Sequence, residues 1–314
     1  MGQDVVSSMK GRHFVSILDF SSEELSAVLS TAADIKKDHG ARGDAPLHRK
    51  TLGMIFQKPS LRTRVSFEAG MTQLGGHAIY LAPSDISLGK RETTEDIAIV
   101  LSRHVDGIMA RVFGHDIVVE LAKYATVPVI NGLSDYEHPC QTLADFQTII
   151  ERKGKLAGLT ACFIGDGNNV ARSMMFGAAR LGMNLKVITP EGYEPDAEST
   201  SQAQGIAADN GCEISLTNDM KSVAGADVLY TDVWASMGQE DEAAVRRDVF
   251  RQFIINADAM SLANDDAIIL HCLPAHYGDE IDYDTSRLPN SAIFDQAENR
   301  LHAQKALMVH LMGA

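Results

Sequence analysis

Long apolar runs are missing from this sequence: none approaches the roughly 18 residues that a membrane-spanning helix needs. The N-terminal stretch sets Asp4, Lys10, Arg12 and His13 among its apolar residues and holds no signal-peptide core. Its Met1-Gly2 start also fails the myristoylation pattern, because position 6 is Val6. Cysteine is scarce, and Cys140, Cys162, Cys212 and Cys272 form no C-x-x-C pair. Such scatter suits reduced thiols and argues against a disulfide framework or a bound metal. Positive charge is in deficit, with 28 Lys and Arg against 42 Asp and Glu. The net charge of −14 gives no overall electrostatic reason to bind nucleic acid or an anionic membrane. Solenoid-length repeats and low-complexity tracts are absent too. The expectation is a cytoplasmic protein without nucleic-acid or membrane partners.

What is there is a chain of 314 residues, 45% of them apolar, long enough for two domains with sizeable cores. After Ser21, a capping box with Glu24 precedes Leu25, Val28, Leu29, Ala32 and Ile35 at helical spacing, and Gly40 reads as the stop. Short apolar runs then read as buried strands near 51–56, 77–82, 107–112 and 127–130, separated by helices near 63–74, 94–103 and 116–124. After a helix at 139–153 the pattern restarts, with strands near 159–164, 185–189, 212–216, 227–232 and 267–272 and a long helix at 292–312. Strand and helix alternating at this pace predict an α/β fold: two doubly wound parallel-sheet domains joined by interdomain helices. The split falls at about 1–135, a connecting helix at 136–150, and 151–291.

Ligands of open α/β sheets bind beyond the carboxyl ends of strands, so polar residues there come first. Five places qualify. Lys58-Pro59-Ser60-Leu61-Arg62-Thr63-Arg64 follows a strand and opens a helix, which describes a phosphate or carboxylate site, or else a cap with solvated basic residues. Arg111 ends a buried-looking strand and needs an anionic partner or a route to water. His138-Pro139-Cys140-Gln141 opens the 139–153 helix, where imidazole and amide groups either donate to a carbonyl oxygen or simply cap and pack. Gly165-Asp166-Gly167-Asn168-Asn169 suggests dinucleotide binding, but Val170 stands in place of the third glycine and Glu191 only approximates the expected acid. Asparagines there suit a small carboxylate or merely a turn. Last come Asp232 to Gly238 and His271-Cys272-Leu273-Pro274, where a carboxylate could meet an ammonium and a thiol a reacting centre, or the two could be a cap and a buried apolar residue.

Together these segments resemble the transcarbamylase family, and along nearly the whole chain its ornithine-type members. The order S-x-R-T-R at 60–64, H-P-x-Q at 138–141, D-x-x-x-S-M-G at 232–238, H-C-L-P at 271–274 and A-E-N-R at 297–300 is the family's. The first two motifs are general to transcarbamylases, while SMG and HCLP point to ornithine. The resemblance implies carbamoyl transfer from carbamoyl phosphate to L-ornithine, with no metal or organic cofactor. Ser60, the Leu61 backbone, Arg62, Thr63, Ser87, Arg111, His138, Gln141 and Arg300 would hold carbamoyl phosphate, with Cys272 and Leu273 beside the reacting end. Asn169, Asp232, Ser236, the Met237 backbone, Cys272 and the Leu273 carbonyl would hold ornithine. Arg62, Arg111, His138, Asp232 and Cys272 are the catalytic set. It also implies a homotrimer with shared active sites, a terminal helix at 292–314 packed on the first domain, and domain closure on substrate. Two positions depart from the pattern: Ser87, where relatives often carry Gln or His, and Tyr277, in place of an arginine common in bacterial relatives.

Rival readings are another amine acceptor (putrescine, aspartate or N-acylated ornithine), a nicotinamide-dependent oxidoreductase using the GDGNN turn, and a non-catalytic amino-acid binder. Asp232 with SMG favours a free α-amino acid end, which putrescine lacks and acylation blocks.

Overall fold

A computed structural model describes residues 9–37, 45–86, 88, 91–235 and 240–313. The Gly40 stop, Ser87, Ser236 and Met237 lie outside the described residues. The chain packs as two compact units, Met1–Gln147 with Glu298–Ala314, and Thr148–Ala297.

In the first unit, the expected capping box opens helix α1 (Ser22–Lys37): Ser21 Oγ accepts from the Glu24 N–H at 3.2 Å, and Glu24 Oε2 accepts from the Ser21 N–H at 3.0 Å. Strands β1 (Thr51–Phe56), β2 (His77–Leu81), β3 (Gly107–Arg111) and β4 (Val129–Leu133) form a parallel sheet in the order β2-β1-β3-β4. Helices α2 (Leu61–Gln73), α3 (Thr94–Leu101) and α4 (His115–Tyr124) connect them. β1, β3 and β4 are buried almost throughout, which is why they read as unbroken apolar runs. One core gathers Ile55, Ile97, Ile108, Val118, Leu121 and Val129 between this sheet and α3 and α4. β4 starts two residues later and ends three later than the apolar run implied. Asn131 continues the strand because its N–H donates to the Phe14 carbonyl (2.9 Å) and its side-chain NH2 to the Val15 carbonyl (2.9 Å), so the donors of a polar residue find acceptors inside it.

Helix α5 (Pro139–Lys153) begins in the first unit, with proline at the first helical position, where its missing N–H costs nothing. The second unit holds β5 (Thr160–Ile164), α6 (Asn169–Leu181), β6 (Asn184–Ile188), α7 (Ala197–Asp209), β7 (Ile214–Thr217), β8 (Val228–Thr231), α8 (Ala243–Phe250), α9 (Ala257–Leu262) and β9 (Ile268–His271). Its strands pair in parallel in the order β7-β6-β5-β8-β9. Helix α10 (Ile293–Met312) ends the described chain. Within the first unit α2 meets α10 closely at Gly70, where a Cβ would come within 3.1 Å of Lys305 Cγ and of Met308 Cε.

Each sheet reverses its winding once, between β1 and β3 in the first unit and between β5 and β8 in the second. At such switch points neighbouring loops diverge and leave a crevice at the strands' carboxyl ends. Ser60 to Arg64 follow β1 and Arg111 ends β3; the 165–169 turn and Asp232 follow β5 and β8.

Candidate active site

In the first unit, Ser60 caps α2, its hydroxyl accepting the Thr63 N–H at 3.3 Å. That cap turns Thr63 inward, and its buried hydroxyl becomes a hub. Arg111 Nη1 donates to Thr63 Oγ1 at 3.4 Å and Arg300 Nη2 at 3.2 Å, while Ser60 Oγ lies 3.2 Å from the same oxygen. Arg300 Nη1 donates to Gln141 Oε1 at 2.7 Å, and Gln141 Nε2 in turn donates to Asp145 Oδ1 at 2.8 Å. Gln304, with its oxygen turned toward Arg300 as the surrounding donors require, accepts from Nε and Nη2 at 3.0 Å each. Thr63, Arg111, His138, Gln141 and Arg300 are all buried, whereas Arg62 is half-buried and Leu61 is 75% exposed at the first position of α2.

His138 sits at the start of α5, its carbonyl accepting from the Gln141 N–H at 3.0 Å. Its imidazole is held well below the ordinary histidine value, first by burial and then by the charges of Arg300, Arg111 and Arg62. It therefore stays neutral at physiological pH, able to donate a hydrogen bond without adding a proton to an already positive site. Three guanidinium groups, a helix N-terminus and a neutral imidazole together suit an anion that carries a carbonyl group.

In the second unit, Asp232 follows β8 and is buried. Cys272 Sγ donates to its Oδ1 at 2.8 Å, and Asn168 Nδ2 donates to its Oδ2 at 3.0 Å. Asn169 is the first residue of α6. Leu273 adopts φ +57°, a left-handed conformation that costs a branched residue on the order of 1 kcal/mol. Its N–H donates to His271 Nδ1 at 2.8 Å, so the proton of His271 lies on Nε2 and faces Glu280 Oε1 at 2.9 Å. Glu280 thus fixes His271, and His271 fixes the backbone that presents Cys272 and Leu273.

Asp232, His271 and Cys272 are the one group among the described residues with metal-ligand spacing, their atoms lying within 4.8 Å of one another. Both ring nitrogens of His271 are engaged, so the cluster reads as two hydrogen-bonded pairs, Cys272 with Asp232 and His271 with Glu280. Beside it, burial pushes the Asp166 carboxyl up to about 6, although Arg246 Nη1 at 3.2 Å pulls the other way. Arg246 also donates to the Trp234 carbonyl at 2.9 Å, tying the 165–169 turn to the segment after β8.

The GDGNN turn owes its glycines to the chain itself. Gly165 sits at φ +136°, and a Cβ on Gly167 would lie 2.2 Å from Pro195 N. The Gly167 N–H donates to the Tyr193 carbonyl at 2.8 Å. Segment 193–195 therefore explains the tight glycine without a pyrophosphate. Glu280, Arg246 and Gln304 were not singled out from the sequence, and Asn168 and His271 were named only as members of their motifs, since each acts through a partner that only the fold brings near.

Comparison with known proteins agrees with this geometry. Residues 12–151 match the family model "Aspartate/ornithine carbamoyltransferase, carbamoyl-P binding domain", and residues 157–311 match "Aspartate/ornithine carbamoyltransferase, Asp/Orn binding domain". The chain belongs to the aspartate/ornithine carbamoyltransferase family. It is 54% identical to the ornithine carbamoyltransferase of Thermococcus kodakarensis, over 98% of this chain and 99% of that one. The anabolic ornithine carbamoyltransferase of Pyrococcus furiosus is 52% identical, over 98% and 99%. The solved ornithine carbamoyltransferase of Pyrococcus furiosus superposes with a TM-score of 0.93 at 52% identity, covering 97% of this chain and 98% of its own. An acetylornithine transcarbamylase complexed with acetylcitrulline also shares the fold, at TM-score 0.87 and 32% identity, covering 96% and 100%.

Proposed function

We propose that this chain transfers the carbamoyl group of carbamoyl phosphate to the δ-amino group of L-ornithine, giving L-citrulline and phosphate. The observation that carries the reading is the convergence of Arg111 and Arg300 on the Thr63 hydroxyl beside a histidine kept neutral. Carbamoyl phosphate is a mixed anhydride whose phosphate leaves with growing negative charge, and guanidinium groups at a helix N-terminus stabilise that charge.

In our assignment Ser60, the Leu61 backbone, Arg62, Thr63, Arg111 and Arg300 hold the phosphate and carbamoyl oxygens, with Ser87 on the phosphate, while His138 and Gln141 grip the carbamoyl group. Asn169 takes the ornithine carboxylate, and Asp232, Ser236 and the Met237 backbone its α-amino end. Cys272 and the Leu273 carbonyl receive the δ-amine. That amine, with a solution value of about 10.4 like lysine, must lose a proton to attack. Its nitrogen then adds to the carbonyl carbon, the carbon–oxygen bond to phosphate breaks, and the departing phosphate carries the proton away.

The carbamoyl phosphate domain is assigned to residues 1–135 with the helix at 292–314, the ornithine domain to 151–291, and the connection to 136–150. The assembly is a homotrimer with shared sites in the cytoplasm. Its place is arginine biosynthesis, in keeping with the anabolic Pyrococcus furiosus relative at 52% identity. The test is citrulline formation with L-ornithine beside putrescine, L-aspartate and N-acetylornithine, with Arg62→Ala as control. Product with ornithine alone, lost in the control, supports the assignment; faster turnover of another amine overturns it. Sedimentation of the purified protein tests the trimer.

A further inference from the structure

The geometry points to Asn168 as a positioning residue that sets the Asp232 carboxylate for the amino-acid substrate, a role resting on the assignment of Asp232 made above. Asn168 does two things with one amide. Its Oδ1 accepts the N–H groups of Val170 (2.9 Å) and Ala171 (3.1 Å), capping α6. Those two donors fix the orientation of the amide, because a turned amide would set NH2 against N–H. Its Nδ2 therefore has to face Asp232 Oδ2, which it reaches at 3.0 Å. With Cys272 Sγ on Oδ1 at 2.8 Å, each Asp232 oxygen holds one protein donor, and the remaining lone pairs point in a set direction. A carboxylate held this way meets an ammonium without first losing rotational freedom. Sequence alone gives Asn168 as one of two turn asparagines and does not separate its task from that of Asn169.

Cap and donor are separable by substitution. Asn168→Ser and Asn168→Asp both keep a side-chain oxygen for the α6 cap. Asn168→Ser loses the reach to Asp232. Asn168→Asp places a second carboxylate against it, and two carboxylates so close cannot both ionise, so one binds a proton. In that protonated form the introduced carboxyl donates to Asp232 as the native amide does.

The experiment measures kcat and KM for ornithine and for carbamoyl phosphate across pH 5.5 to 9, with thermal midpoints and the alkylation rate of Cys272 by iodoacetamide, read by peptide mass spectrometry. We expect both variants to lose roughly 10- to 100-fold in kcat/KM for ornithine at pH 8, the size of one charge-assisted hydrogen bond. The KM for carbamoyl phosphate should change by less than about threefold. The ratio of Asn168→Asp to wild-type activity should climb as pH falls, while that of Asn168→Ser stays flat. Ornithine kinetics within twofold of wild type in both variants, or losses that merely follow the thermal midpoint and strike both substrates equally, overturn the proposal. If the wild type ignores ornithine, the functional assignment fails on its own. The Cys272 alkylation rate then decides for Asn168: a change in both variants upholds its hold on Asp232, and an unchanged rate overturns it.

Discussion

Replacing Gly167 by alanine separates two explanations of the GDGNN turn. A Cβ there would stand 2.2 Å from Pro195 N and 2.5 Å from the Glu194 carbonyl carbon, against the roughly 3.4 Å of an ordinary contact. Backbone atoms cannot rotate away, so the turn must move by about 1 Å or segment 193–195 must. Overpacking of this kind costs about 1–3 kcal/mol. For a unit of this size that is a fall of roughly 3–10 °C in thermal midpoint. The shift also breaks the 2.8 Å bond from the Gly167 N–H to the Tyr193 carbonyl and displaces Asn168 and Asn169, so the KM for ornithine should rise while that for carbamoyl phosphate holds. Differential scanning calorimetry and steady-state kinetics on Gly167→Ala make the comparison. A midpoint within 1 °C of wild type with unchanged ornithine kinetics would refute the packing argument. Fluorescence of a nicotinamide dinucleotide, unaltered by either protein, closes off the alternative.

Arg300→Lys keeps a charge but loses the fork that reaches Gln141 and Thr63 together, and should raise the KM for carbamoyl phosphate roughly 100-fold; a change under threefold would count against the hub. His138 is held neutral in the fold while the unfolded chain protonates it below about 6.5, so its contribution to stability is intact above that value and is lost as pH falls, by at most about 1.4 kcal/mol per pH unit. Urea midpoints at pH 7.5 and 5.5 should therefore converge in His138→Asn relative to wild type, and an undiminished gap would disprove the link. Burial pushes the Cys140 thiol up to about 12, and its S–H donates a hydrogen bond to the Asn131 carbonyl at 3.3 Å, whereas Cys272 is only half-buried. Iodoacetamide at pH 8 should modify Cys272 and spare Cys140 in the native protein, with ornithine protecting Cys272; early labelling of Cys140 would contradict this.

The sequence exposed the fold wherever a single physical rule governs a stretch. Strands buried on both faces must be apolar throughout, so β1, β3, β5 and β9 are visible as runs and differ from expectation by a residue at most. β4 strayed because Asn131 and Gly132 interrupt the run, and the carbonyls that accept from Asn131 come from residues 14 and 15, over a hundred positions away. The same division holds in the site. Ser60 and Thr63 could be placed because a cap and a helix start are local events, and Arg111 because a charge at the end of a buried strand demands a partner. Nothing local says that the partner is Thr63, that Arg300 arrives on the same oxygen from 237 residues further on, or that these charges and burial hold His138 neutral.

The second unit carries the point furthest. Cys272 and Asp232 each had a bland reading, a small buried thiol and a helix cap, and neither reading fails on sequence grounds. The pairing itself speaks against both. The thiol spends its proton on Asp232 at 2.8 Å, Asn168 supplies the second donor, and Glu280 holds His271 so that Leu273 keeps a backbone conformation it would not choose alone. Strain of that kind persists only where the surroundings over-determine it, and such places are where proteins position chemistry. The residues we assign to substrate are thus legible as types at strand ends, and the residues that aim them become legible only once the fold has chosen their partners.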